Sequence, residues 1–161
     1  VSKEIKIFTP DLSNKFKEAN SQIQKLIDEN KKDFVFMGSS LGGYYANFYG
    51  SIYNSKVILI NPAIPPLKGF EEYLGENENY STSEKFIVTK EDIKFLRTLV
   101  PKKSNNQNNT LILLESGDEV LNYIETTKYF QGSNIDITYG GSHSYDSISM
   151  KMKKIVKFIE I

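Results

Sequence analysis

Few side chains in this sequence can do covalent chemistry, and they fall into a recognisable order. Ser40 is the middle residue of Gly38-Ser39-Ser40-Leu41-Gly42, the Gly-x-Ser-x-Gly spacing at which a buried strand turns sharply into a helix. The glycines make room for the turn and the serine points outward. Ser39 competes with it but lies one residue short of the apex. A serine hydroxyl is a weak nucleophile at neutral pH, so it needs a base within hydrogen-bond reach and an acceptor to hold that base in the right tautomer. One histidine is present, His143, in Gly140-Gly141-Ser142-His143-Ser144. The acceptor expected between serine and histidine in the chain is Asp118, in Glu115-Ser116-Gly117-Asp118-Glu119. Glu119 and Glu115 are close alternatives. Asp146 is a weaker one, because its position suits the cap of a final helix.

These residues must be held by strand ends and turns. Ile5–Phe8 has the composition of a short strand, and Ser13 can cap a helix with Phe16, Ala19, Ile23, Leu26 and Ile27 at helical spacing. That helix should stop around Asn30-Lys31-Lys32-Asp33. Phe34–Met37 is apolar at successive positions, as in a strand covered on both faces, and a helix should follow from about Ser40 to Tyr49 and stop at Gly50. Val57–Ile60 is a third strand closing on Asn61-Pro62. From 63 to 109 the pattern loosens, with one helix signal at Thr89-Lys90-Glu91-Asp92, so this stretch is expected as a cap-like, helical insertion over the sheet edge or as a long connection with a surface helix. Lys102–Asn109 has the composition of a solvated loop. Leu111–Leu114 and Ile135–Tyr139 are further strands, separated by a helix from Asn122 to Phe130. The closing helix should face the core with Ile148, Met152, Ile155, Val156 and Ile159. Five strands alternating with helices predict one α/β domain over 1–161, three layers deep around a doubly wound, mostly parallel sheet. Tyr44, Tyr45, Phe48 and Tyr49 could line a pocket, but their helical spacing fits core packing better.

Composition narrows the function. The 161 residues carry 20 basic and 20 acidic side chains, so no net field draws in nucleic acid or an anionic membrane. Cysteine is absent, which excludes disulfides and thiol nucleophiles and fits a cytoplasmic setting, and a single histidine excludes a His/Cys metal cluster. No apolar run approaches the roughly 20 residues of a membrane span. The expected partner is a small molecule, with no metal or cofactor.

Gly38–Ala46, Asn61-Pro62-Ala63, Tyr73–Asn79, Gly117–Tyr123 and Gly140–His143 together resemble the small bacterial YqiA-type esterases, which are compact α/β-hydrolases. The likeness runs through nearly all of the chain from Ile5. It implies Ser40 as nucleophile, Asp118 as triad acid, His143 as triad base and hydrolysis of short-chain acyl esters through an acyl-enzyme. Members of that family begin with another apolar strand ending in a His-Gly-Phe-type loop, which supplies one oxyanion-hole N–H. No segment here matches it, and Ile5–Phe8 corresponds to the family's second strand. The chain is therefore expected to be a truncated form, or to pair Ile5–Phe8 directly with Phe34–Met37. The backbone N–H of Leu41 is the oxyanion donor expected to remain; loss of the other costs on the order of 2.7–4 kcal/mol, or 10²–10³ in rate. The alternative function is a non-catalytic binding or interaction protein of α/β-hydrolase fold with an incomplete oxyanion hole.

Overall fold

A computed structural model describes residues 5–30, 33–101 and 106–160. In chain order the elements are α1 (Phe16–Asn30), β1 (Val35–Ser40), α2 (Leu41–Tyr53), β2 (Lys56–Pro62), β3 (Gly75–Glu78), β4 (Lys85–Val88), α3 (Lys90–Leu96), β5 (Thr110–Glu115), α4 (Tyr123–Tyr129), β6 (Asn134–Thr138) and α5 (Ile148–Glu160). They form two compact units, one from the described residues of Asp33–Lys68 and Leu99–Ile161, the other from those before Lys32 together with Gly69–Thr98.

The first unit carries the site. Its four strands are all parallel in the order β1-β2-β5-β6. Side chains alternate across a strand, so the continuous apolar runs of β2 and β5 feed two cores at once. Val57, Leu59, Ile112 and Leu114 pack on one face with Ala46 of α2 and Phe130 at the end of α4. Ile58, Ile60, Leu111 and Leu113 pack on the other with Ile155 of α5 and Tyr145. Helices on both faces make the expected three-layer α/β architecture, with four strands in the sheet among the described residues instead of about five. Each such aliphatic side chain, fully buried, contributes about 1.5–3 kcal/mol. Tyr44, Tyr45 and Tyr49 are buried on α2 as core residues.

Several local expectations are corrected. Ile5–Phe8 forms no strand, and Ile5 and Ile7 are exposed; β1 pairs with β2 alone among the described residues, so direct pairing of the two segments does not occur. The Ile-x-Ile alternation is a strand pattern that found no ladder to join. Helix α2 runs through Gly50 and ends at Asn54, whose left-handed φ of 49° suits asparagine. Gly50 serves close packing instead, since a Cβ there would overlap the Val57 side chain. On α5 the core stripe is Ile148, Ile155, Phe158 and Ile159, whereas Met152 and Val156 are about half exposed. The helix is turned so that Lys151 also lies inward, where it meets Asp136 of β6 at 2.7 Å. Lys154 bonds the other oxygen of Asp136. Asn106, placed by composition in a solvated loop, is buried and donates to the carbonyls of Gly50 and Ser55 at the end of α2. The expected helix stop at Lys31-Lys32 and the loop 102–105 lie outside the described residues.

In the second unit, α1 starts at Phe16, so Ser13 is not the cap expected of it; its hydroxyl accepts from the Lys15 N–H at 3.1 Å ahead of the helix. The stretch after β2 is not purely helical: β3 and β4 pair as an antiparallel hairpin, Gly75 opposite Val88. Glu76-Asn77-Glu78, a polar break by composition, is a strand whose faces are largely solvated and so show no apolar alternation. Thr89 and Asp92 form the capping box of α3, Thr89 Oγ1 accepting from the Asp92 N–H at 3.2 Å. Among the described residues no helix is long and apolar enough to cross a membrane.

Candidate active site

All three residues of the expected triad meet at the carboxyl edge of the parallel sheet. Ser40 ends β1, Asp118 follows β5 and His143 follows β6. Parallel strands place all their carboxyl ends on one side, which is why loops far apart in sequence converge there.

Ser40 has φ 52° and ψ −122°, a backbone conformation that a residue with a Cβ adopts only under strain of about 1–3 kcal/mol. The surroundings impose it. A register shift between Ser39 and Ser40 sets Ser40 opposite Pro62, which has no N–H to offer a ladder, and the Ser40 carbonyl instead accepts from the Ala63 N–H at 3.0 Å. Helix α2 begins at the next residue, Leu41. The Ser40 side chain caps no helical N–H and is left for other work. Of the two motif glycines, Gly38 makes the expected room for the turn and Gly42 does not. A Cβ on Gly38 would overlap the Gly42 carbonyl, and one on Gly43 would lie 2.8 Å from the Pro62 Cβ, whereas one on Gly42 would meet nothing. Gly38→Ala should therefore destabilise the fold by about 1–3 kcal/mol. Gly42→Ala should be neutral or slightly stabilising. Thermal melts of the two variants separate the cases, at about 2–4 °C per kcal/mol for a chain of this size.

The His143 ring lies between its two partners. Its Nε2 is 2.9 Å from Ser40 Oγ, and its Nδ1 is 3.0 and 2.9 Å from Asp118 Oδ1 and Oδ2. A carboxylate only accepts, so Asp118 selects the tautomer with hydrogen on Nδ1 and leaves Nε2 to accept from the serine hydroxyl. The Asp118 side chain is 2% exposed, and Oδ1 also accepts from the N–H groups of Val120 and Leu121, both at 2.8 Å. Those bonds fix the carboxylate plane before the imidazole meets it.

The two loops are joined to each other. Ser116 N–H donates to the Thr138 carbonyl at 2.9 Å, Gly117 N–H to Gly140 at 2.8 Å, and Gly140 N–H to Ser116 Oγ at 2.9 Å. A Cβ on Gly117 would overlap the Gly141 carbonyl, so the loops approach as closely as glycine allows. The alternative carboxylates do other things. Glu119 Oε2 accepts from the His143 backbone N–H at 3.0 Å, which holds the Glu119 carboxyl below its ordinary range. Glu115 is fully buried and bonds to backbone N–H groups after His143. Asp146 does not directly precede α5, whose first residue is Ile148 after Ser147. Ser39 is exposed, beside the elbow and outside this chain of bonds.

Leu41 is the first residue of α2, so its N–H has no acceptor within the helix and sits at the positive end of the helix dipole. Sequence reasoning overlooked Asn61 as a site residue. It was legible only as part of Asn61-Pro62, yet it is buried and donates from Nδ2 to the carbonyls of Ser142 and His143.

The profile of an uncharacterised protein family, UPF0227, matches residues 1–160. The UPF0227 protein YcfP of Escherichia coli O9:H4 is 25% identical over 150 residues, 92% of this chain and 75% of the relative. Among solved structures, Est1E from Butyrivibrio proteoclasticus with bound ferulic acid superposes with a TM-score of 0.65 at 17% identity, covering 92% of this chain and 70% of that one. A monoacylglycerol lipase from Paleococcus ferrophilus superposes with a TM-score of 0.61 at 13% identity, covering 91% and 75%. Likeness at this identity establishes the α/β-hydrolase fold and leaves the chemistry to the residues themselves.

Proposed function

Because the chain belongs to the UPF0227 family and has the α/β-hydrolase fold, we propose that it is a serine esterase acting on short-chain acyl esters. The observation that carries this is the unbroken run of hydrogen bonds from Ser40 Oγ through both nitrogens of His143 to Asp118. Ser40 Oγ attacks the ester carbonyl while its proton passes to His143 Nε2. The tetrahedral oxyanion is held by the Leu41 N–H at the start of α2. Collapse expels the alcohol, which takes the proton from Nε2 and leaves an acyl group on Ser40. A water molecule then gives its proton to the same nitrogen and attacks the acyl carbonyl; the bond from the carbonyl carbon to Ser40 Oγ breaks, Oγ takes the proton back from Nε2, and the acid is released. Throughout, Asp118 keeps Nδ1–H oriented and stabilises the transient imidazolium. The strained backbone at Ser40 supports this assignment, since such conformations persist where a fold uses them.

The test is covalent labelling. A fluorophosphonate should modify Ser40 alone, as read by peptide mass mapping, and p-nitrophenyl acetate or butyrate should be turned over by the same preparation. Replacing His143 with alanine should abolish the label, because the hydroxyl then has no base. A folded wild-type protein that takes no label and turns over neither ester would favour the non-catalytic binding role.

A further inference from the structure

Glu115 ends β5 with 0% of its surface exposed, yet no step of the proposed proton relay uses it. A carboxylate placed there must be matched by donors or its desolvation is ruinous. Its donors all come from the loop between β6 and α5. Oε2 accepts from the Ser142 N–H at 2.8 Å and the Asp146 N–H at 3.0 Å, and Oε1 from the Ser147 N–H at 2.8 Å. The three donors bracket His143 on both sides. Burial opposes the charge on Glu115, but the Ser147 hydroxyl and the three backbone N–H groups outweigh it and hold the carboxyl below its ordinary range.

Asn61, at the end of the neighbouring strand, grips the opposite polarity of the same loop. Its Nδ2 donates to the carbonyls of Ser142 at 3.0 Å and His143 at 3.3 Å, while its Oδ1 accepts from the Glu115 N–H at 3.0 Å. One side chain thus takes the loop's N–H groups and the other its carbonyls. The loop is too irregular to satisfy these groups internally: Gly140, Gly141 and Tyr145 all have positive φ, and a Cβ on Gly141 would overlap the Glu115 carboxylate.

The geometry points to Glu115 as a positioning residue, braced by Asn61, that sets the 142–147 loop so that the single imidazole meets Ser40 and Asp118 at the same time. It acts on the reaction only through His143, and its catalytic meaning rests on the triad proposed above. Its structural content can be tested without any substrate. His143 is the only histidine, so ring signals in protein labelled with ¹⁵N-histidine belong to it alone. In the wild type the ring should be held as the Nδ1–H tautomer between Asp118 and Ser40, with Glu119 on its backbone.

Glu115→Gln presents an amide donor to backbone donors and should loosen the loop. The expected result is a mixed tautomer and fluorophosphonate labelling slowed on the order of 10²-fold, the effect of a roughly 1 Å misplacement. Glu115→Asp, which keeps the charge, should recover part of the wild-type spectrum and rate. Should Glu115→Gln fail to fold, Asn61→Gly decides, because glycine tolerates the φ of 37° at this position while deleting all three side-chain bonds. A folded Glu115→Gln or Asn61→Gly protein with unaltered tautomer and labelling rate would overturn the proposal and leave these residues a role in stability only. A wild-type protein that takes no label, but whose His143 spectrum responds to Glu115→Gln, would count against the esterase and for the positioning.

Discussion

Ser40→Ala should lower kcat for ester hydrolysis on the order of 10⁶-fold while leaving the protein folded, since a triad without its nucleophile retains only binding and oxyanion stabilisation. KM should change little, because the hydroxyl reacts with the substrate but does not hold it. Stability should stay within about 0.5 kcal/mol of wild type. The hydroxyl's hydrogen bond is to His143 Nε2, which is partly exposed and can be hydrated instead. Ser40→Gly gives a second, independent readout. Glycine adopts φ 52° without strain, so this variant should be as inactive as Ser40→Ala yet melt higher, by up to about 1 kcal/mol of stability. An inactive site that gains stability on losing its side chain is what strain held for function predicts. Ser39→Ala is the control for the competing serine and should retain most turnover. If instead Ser39→Ala is dead and Ser40→Ala is active, the elbow has been placed one residue late.

Much of the geometry of this candidate site is legible in the sequence. Gly-x-Ser-x-Gly after an apolar run, Asp118 after the next buried run but one and His143 after the last are all positions at strand ends, and strand ends in a parallel sheet share an edge. Local pattern therefore carried long-range geometry. It failed where a residue's role depends on a partner distant in sequence. Gly50 looked like a helix stop, but its reason is the Val57 side chain packed against it. Lys151 falls outside the apolar stripe of α5 because nothing local announces Asp136 on the sheet face beneath it. The hairpin β3–β4 is hard to read because β3 is polar and largely solvated and β4 sets an exposed Ile87 between Phe86 and Val88, so neither strand shows apolar–polar alternation. Glu115 and Asn61 were hidden for a related reason. Each satisfies backbone groups of a loop about 27 to 82 residues further along, and backbone groups have no sequence signature.

Asp118→Asn should cost on the order of 10⁴ in kcat with its geometry intact, a far larger loss than its distance from the substrate suggests. The amide oxygen can still accept from the Val120 and Leu121 N–H groups that now bond Oδ1. That leaves Nδ2 facing His143 Nδ1, and two donors cannot share one bond. The ring must then carry its hydrogen on Nε2, pointing at Ser40 Oγ, where a proton acceptor is needed. Ser40 is still present, and its fluorophosphonate reactivity should fall in parallel with turnover because both need the same base. Glu119→Gln is the discriminating companion. Glu119 bonds the His143 backbone and not its ring, and a glutamine oxygen can still accept that N–H, so its loss should be no more than about tenfold, the equivalent of 1.36 kcal/mol. Severe loss in Glu119→Gln with near-normal turnover in Asp118→Asn would transfer the acid's role from the buried carboxylate to the exposed one.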